Sequence, residues 1–349
     1  MRKLKIVFLL PIILCLFDLA TYCQWQRKSV STTASLRGLA VVKEKVIWAS
    51  GTGGTVLLTK DGGNLWKVIT VPGAEKLDFR DIEAFDEYTA YILSIGNGES
   101  SRIYKTIDGG KTWNLEFKNT NEKAFYDSIS CVNKTDCVAM SDPVDGGFLL
   151  ISRRGGDLLT RKQKPTIPVW RPIDRGRPPR TKDGEAAFAA SGTCLINWGI
   201  RLFLISGGNA ARVFRSEDAG VTWSISDSPI ISGTAGSGIF SIAMLDFNNG
   251  VIVGGNYEKP AESKDNLAFT TDGGKTWKLG TGLSGYRSGV TYVDKRTIVA
   301  VGTNGSDITR DGGKTWKNID NENYNSVQAR GKSAVWAVGP KGMVAKMKM

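Results

Sequence analysis

The 349-residue chain contains no histidine. That absence removes Ser–His–Asp and Cys–His nucleophilic catalysis, imidazole general-base work and histidine-ligated metals together. Any chemistry falls to Asp, Glu, Tyr, Lys or Arg. Cysteine is sparse, at five residues, and Cys15 and Cys23 lie in or beside an N-terminal apolar segment. Cys194 stands alone and is expected as buried packing. Cys131 and Cys137 flank the turn-like string VNKTD, a candidate cross-strand disulfide in an exported protein. Two cysteines without histidine make a poor zinc site. No GxGxxG follows a strand and no haem or flavin motif occurs, so neither a cofactor nor a metal is implied. Long apolar runs are also missing, with one exception. Arg2, Lys3 and Lys5 precede a run of 12 apolar residues, Ile6–Phe17, too short to span a bilayer comfortably. Residues 1–23 therefore read as a secretory signal cleaved near Thr21–Gln24, which makes the mature protein periplasmic or secreted. An uncleaved anchor is the lesser reading. Tyr22 is too bulky to precede a lipid-modified Cys23.

Glycine, by contrast, is plentiful at 41 residues, as turn-rich β chains require. Much of it sits in one recurring string: LTKDGGNLWKVI, KTIDGGKTWNLE, RSEDAGVTWSIS, FTTDGGKTWKLG and ITRDGGKTWKNI. The pattern is Ser/Thr-x-Asp-x-Gly-x-x-Trp. It places aspartates at Asp61, Asp108, Asp218, Asp272 and Asp311, and tryptophans at Trp66, Trp113, Trp223, Trp277 and Trp316. The aspartates are separated by 47, 110, 54 and 39 residues. A broken copy, LISRRGGDLL, divides the long gap, with Arg154 at the aspartate position and Leu159 at the tryptophan position. A period of about 40–50 residues is the size of a four-stranded propeller blade. Apolar strands flank each string, glycine supplies positive φ in the turn, and the carboxylate can accept its N–H groups. The tryptophan is expected to pack over its own hairpin as a structural staple.

Two-strand patterns recur upstream of each turn, from LRGLAVVKEKVIWASG through EAAFAASGTCLINWGIRLFLISGG to YNSVQARGKSAVWAVGPKGMVAKM. The last unit stops before its turn. QWQRKSV, with Trp25, supplies the missing strand from the mature N-terminus. The expectation is an all-β, seven-bladed β-propeller over residues 24–349, closed by its N-terminal strand so that no sheet edge stays open.

These turn strings resemble Asp-box (BNR) repeats, found in sialidases and in many non-enzymatic propellers. The strings SDPVDGGFLL, GEAAFAASGT, GGNAARVFRS, GYRSGVTYV and VGTNGSDITRDGGKTW narrow the likeness. They resemble exported bacterial BNR-repeat propellers related to the photosystem II stability/assembly factor family. The resemblance implies a binding platform or assembly factor without a cofactor. No motif supports the oxidoreductase label that some such proteins carry. Residues 153–183 depart from the pattern: ten Lys/Arg stand against three Asp, with five of the 11 prolines. A basic partner-binding loop, a neutral surface insertion and a locally shifted reading frame all remain open there. Outside that stretch and the signal the chain is only slightly basic, which argues against nucleic-acid binding.

Inner strands of a propeller converge on its axis. Several begin with polar residues: Arg37, Arg80, Asp127, Glu185, Arg287 and Asn325, with Tyr126 and Tyr286 beside them and Tyr257 and Lys259 after a second strand. Clustered guanidinium groups bind carboxylate or phosphate in bidentate fashion. Arg37, Arg80, Tyr126, Asp127, Glu185, Tyr286 and Arg287 are therefore the candidate mouth. The expected function is a non-catalytic platform, monomeric, that docks a protein or peptide partner, acidic or membrane-associated. The alternative is a sialidase-like glycoside hydrolase or carbohydrate-binding propeller. Its Arg-Ile-Pro signature is absent, the nearest string being SRIYK with Tyr104 in place of proline.

Overall fold

A computed structural model describes residues 24–154, 169–173 and 178–349. The expected signal at 1–23 and most of the basic stretch at 155–177 lie outside the described residues. Seven antiparallel sheets of up-and-down strands form the blades of a β-propeller, with no α-helix among the described residues. Blade 1 runs Leu36–Val41, Ile47–Gly51, Thr55–Thr59, Lys67–Thr70 from axis to rim. Blade 2 is Phe79–Ala84, Ala90–Ser94, Arg102–Thr106, Asn114–Lys118, and blade 3 is Tyr126–Cys131, Cys137–Val144, Gly147–Arg153, Trp170–Pro172. Blade 4 is Leu195–Trp198, Arg201–Ile205, Arg212–Ser216, Ser224–Asp227. Blade 5 is Ser237–Met244, Gly250–Asn256, Leu267–Thr270, Lys278–Leu279, extended by the two-residue strands Glu185–Ala186 and Gly207–Gly208. Blade 6 is Gly289–Tyr292, Ile298–Gly302, Gly305–Thr309, Lys317–Asp320. Blade 7 combines Ser326–Ala329, Val335–Val338 and Val344–Lys348 with Gln24–Arg27, whose Trp25 pairs with Met347.

The core lies between blades. Middle strands are buried on both faces, as in IWASG and TVLLT of blade 1, where every residue is buried. The repeated turn joins the third strand to the fourth. Asp311 Oδ1 accepts the Lys314 and Thr315 amides, each at 3.0 Å, and the Thr309 hydroxyl at 2.8 Å, while Oδ2 accepts the Thr315 hydroxyl at 2.6 Å. Asp108 and Asp272 repeat this set. The Thr315 and Thr112 donors hold Asp311 and Asp108 well below the usual carboxylate range. Burial works the other way at Asp272, but the Thr276 and Thr270 donors still hold it at about 2.

The tryptophans reach beyond the expected hairpin. Trp66 of blade 1 meets Trp336 of blade 7 edge-on at 5.7 Å, and Trp113 of blade 2 meets Trp48 of blade 1 at 6.5 Å. Trp223 joins a cluster with Ile173 of blade 3, and Trp277 one with Phe203 of blade 4. The indole therefore seals the preceding blade as well as its own turn, where Trp223 and Trp316 Nε1 donate to the Gly220 and Gly313 carbonyls at 3.1 and 3.2 Å. The second turn glycine shares this duty. Gly63 and Gly313 have φ of 86° and 94°, and a methyl at either would overlap Trp336 or Phe269 of the blade before. Blade 3 has Arg154 where the other turns have their aspartate, and Trp170 stands edge-on to Tyr91 at 6.5 Å between blades. Cys131 and Cys137 pair directly in the register of blade 3 and are joined by a disulfide.

Candidate functional site

Blades 1, 2, 3 and 5 each place a β-bulge, or a comparable register shift, near the start of the inner strand. The residue before it (Leu36, Phe79, Tyr126, Ile239) is buried in the inter-blade core. The residue at the shift (Arg37, Arg80, Asp127, Phe240) turns to the axis instead, as bulges re-aim side chains. These four line a cleft of about 400 Å³ at one end of the ring, with Phe125, Asp142, Phe188, Tyr257, Tyr286, Ser288 and Asn325. Of the mouth predicted from sequence, the structure brings together Arg37, Arg80, Asp127 and Tyr286, with Asn325 and Tyr257.

Three candidates lie elsewhere. Arg287 is fully buried and paired with Asp307, Nη2 to Oδ2 at 2.7 Å and Nε to Oδ2 at 2.8 Å. Its Nη1 donates to Asn304 Oδ1 at 2.8 Å and to the Tyr286 carbonyl at 2.7 Å. Register explains the displacement. Gly51 abuts the carbonyl of the residue before Leu36, and Gly302 abuts that of Tyr286, the residue before Arg287. Arg287 thus holds the core position of Leu36, and Ser288 holds the axial position of Arg37. Tyr126 holds a core position too, its ring 5.2 Å from Phe117. Glu185 does not begin an inner strand. Blade 4 starts at Leu195, and Glu185 sits buried, ion-paired to Arg212 (Nε to Oε1, 2.9 Å).

The residues after Glu185 were not legible as what they are. Residues 187–192, AFAASG, lie across the axis and are tied to several blades. Arg37 Nη1 donates to the Ala190 carbonyl at 3.1 Å and Arg80 Nη1 to that of Ala189 at 3.4 Å. The Ser128 hydroxyl, which donates to Asp81, lies 2.9 Å from the Gly192 carbonyl, and Ser326 donates to that of Ser191 at 3.3 Å. The Ala187 amide donates to Asp142 Oδ1 at 2.8 Å. The only sequence signal was excess length between the third turn and the next apolar strand. Phe188 stacks on Phe240 with centroids 3.9 Å apart, and Tyr286 stands edge-on to Phe240 at 4.7 Å. One wall of the cleft is therefore aromatic.

The electrostatics are bipolar. Arg37 is half-buried; desolvation and the neighbouring Arg80 lower its pKa, and it stays a cation. Arg80 is steadied by Asp78, Nε to Oδ2 at 2.7 Å. Opposite charge sits on blade 3. Burial pushes Asp142 up to about 6, against the Ala187 amide. Burial and then Asp142 push Asp127 up further. Below the cleft floor Asp81 accepts the Ile129 amide at 2.8 Å and the Ser128 hydroxyl at 2.7 Å, pinning blade 2 to blade 3.

The BNR/Asp-box repeat family profile matches residues 268–279, the turn of blade 5. The chain is 23% identical over 272 residues to the photosystem II stability/assembly factor HCF136, chloroplastic, of Arabidopsis thaliana. The chain is an Asp-box β-propeller with sequence similarity to a photosystem II stability/assembly factor. The alignment takes in 75% of this chain but 60% of the Arabidopsis protein, so the chain spans little more than half of that relative. Among solved structures, YCF48 bound to D1 peptide superposes with TM-score 0.64 at 14% identity, covering 93% of this chain and 95% of that one. YCF48 from Cyanidioschyzon merolae gives 0.61 at 17% identity, covering 93% and 98%. Those two likenesses are of fold.

Proposed function

We propose that this Asp-box propeller is a non-catalytic assembly or stability factor that docks a peptide segment of a protein partner in its axial cleft. The observation that carries the reading is the pair Arg37 and Arg80. Each spends a donor on a carbonyl of the 187–192 crossing, so the cleft already holds main-chain carbonyls beside two guanidinium groups. A partner segment would lie along the aromatic wall and present a carboxylate to the remaining donors. The kinship to assembly factors, one of them solved with a peptide of its partner, supports the same class of ligand. Export directed by residues 1–23, an acidic or membrane-associated partner, monomeric action and ring closure by Gln24–Arg27 belong to this reading. Binding is favoured over sialidase-like hydrolysis because the cleft gathers two arginines, Arg37 and Arg80, while Arg287, which would complete a triad, is buried against Asp307.

The test is a positional scan of acetylated alanine-background hexapeptides. Each is made with a free C-terminal carboxylate and as the amide, and each is titrated against wild type and Arg37→Ala/Arg80→Ala. Members that bind the wild type as the acid, lose affinity as the amide and lose it in the double variant support the reading. Equal binding of acid and amide throughout, or equal binding by both proteins, would falsify it.

A further inference from the structure

Asp127 of the cleft differs from the carboxylates of the turns and from Asp81. In the repeated turns and at Asp81, hydroxyl and amide donors satisfy the carboxylate. Asp127 is 1% exposed, lines the cleft, and its Oδ2 is buried with no hydrogen-bond partner. A buried carboxylate oxygen without a donor costs free energy, and native proteins rarely leave one so unless something else supplies the donor. The neighbouring Arg80 donates to Asp78 and to the Ala189 carbonyl and makes no hydrogen bond to Asp127 Oδ2. Asp142, beside Asp127, receives the Ala187 amide on Oδ1. Two acidic groups thus share one wall, repel each other, and have between them an oxygen that no group of the protein serves. Phe125 and Phe188 line the same cleft, and aromatic faces attract a cation further.

We propose that Asp127 and Asp142 form a cation subsite of the cleft that receives a lysine ammonium of the docked peptide. The occupant is an ammonium because two carboxyl groups on neighbouring strands offer several acceptors to one point charge with three donors. Arg37 and Arg80 hold the carboxylate and Asp127 with Asp142 the lysine, so the preferred ligand carries both charges a few residues apart. This rests on the docking reading above and adds the second recognition element to it.

The same hexapeptide scan tests it separately. Lysine is placed in turn at each of the five positions before the terminal carboxylate, alongside norleucine and Nε-acetyl-lysine. At one position lysine should bind wild type about tenfold more tightly than either neutral analogue. In Asp127→Asn and in Asp142→Asn that ratio should fall below about twofold, read on protein whose melting temperature shows it folded. If either variant fails to fold, the ratio of lysine to its neutral analogues on wild type alone decides. A carboxylate preference with no lysine preference at any position overturns the subsite and leaves the docking reading intact. Absence of any carboxylate preference overturns both.

Discussion

Arg287 gives the sharpest test of the register argument, because as a binding residue and as a buried ion-pair partner it predicts different things. The guanidinium and Asp307 are each fully buried, and their Nη2–Oδ2 contact is 2.7 Å. Replacing Arg287 by methionine keeps the volume and strands the Asp307 carboxylate, which retains only the Ser284 donors, amide at 3.0 Å and hydroxyl at 2.9 Å. Breaking one side of a buried pair costs about 3–5 kcal/mol, because the remaining charge stays desolvated. At roughly 2 °C per kcal/mol for a chain of this size, the melting temperature falls by roughly 6–10 °C. Removing the second charge as well, in Arg287→Met/Asp307→Leu, should restore more than about half of that loss, since apolar replacements of buried pairs are often tolerated. Urea unfolding followed by tryptophan fluorescence gives the free energies, and the peptide scan at a temperature where all variants are folded gives binding. Arg287→Met should keep the carboxylate preference of wild type. A single variant within about 1 kcal/mol of wild type, or one that is stable but has lost that preference, would refute the register assignment.

Three further outcomes follow from the same geometry. Chelator or added calcium should leave the melting temperature unchanged, because Asp108, Asp272 and Asp311 already accept amide and hydroxyl donors on both oxygens; a calcium-dependent rise would contradict the staple role. Burial raises Asp81 from 3.8 to about 7, so the folded state keeps its proton to a higher pH than the unfolded chain, and the associated stability, about 4 kcal/mol, is present below pH 4 and lost as pH rises through 7. Urea midpoints measured from pH 4 to pH 8 should decline in wild type and decline less steeply in Asp81→Asn; parallel slopes would remove Asp81 as the cause. Reducing the Cys131–Cys137 disulfide, which closes a loop of sequence separation 6, should cost at most roughly 2 kcal/mol and leave peptide binding in place.

The ring was legible because its signal is local. Each Asp-x-Gly-x-x-Trp string carries its own turn chemistry, and the spacing between strings reports a blade. The axial bulge was legible where the flanking residues were unlike. Leu36–Arg37 and Phe79–Arg80 each set an apolar core residue before an arginine, so the polar one could be assigned to the axis. At Tyr286–Arg287–Ser288 the string offers two polar residues in succession, and only pairing decides which faces the axis. The core position takes Arg287 because Asp307, 20 residues later on the third strand, neutralises it there. No local pattern encodes that partner. The crossing at 187–192 was hidden for a similar reason. Its alanines pack and its carbonyls are anchored by residues of blades 1, 2, 3 and 7, which are far away in sequence. The tryptophan staple was read only to its own hairpin because sequence adjacency suggested it, whereas blade packing also puts the preceding blade against the indole.

What separates structural from functional aspartates in this molecule is satisfaction, not residue type or burial. Asp61 and Asp311 are on exposed turns and Asp81 is in the core, yet all three have their donors supplied by nearby amides and hydroxyls. Asp307 is equally buried and is answered by Arg287 and Ser284. Each of these groups has its free energy balanced within the fold, so selection for stability suffices to account for it. Asp127 differs from these: the fold buries it, turns it to the axis through a bulge like those that present Arg37 and Arg80, and leaves Oδ2 without a donor. A hydrophobic residue is tolerated at that bulge, as Phe240 demonstrates in blade 5, so the scaffold does not require a carboxylate there. A buried carboxyl oxygen that the scaffold neither needs nor satisfies is accounted for by a donor arriving from outside, and Arg37 and Arg80 of the same cleft indicate what else that ligand must carry.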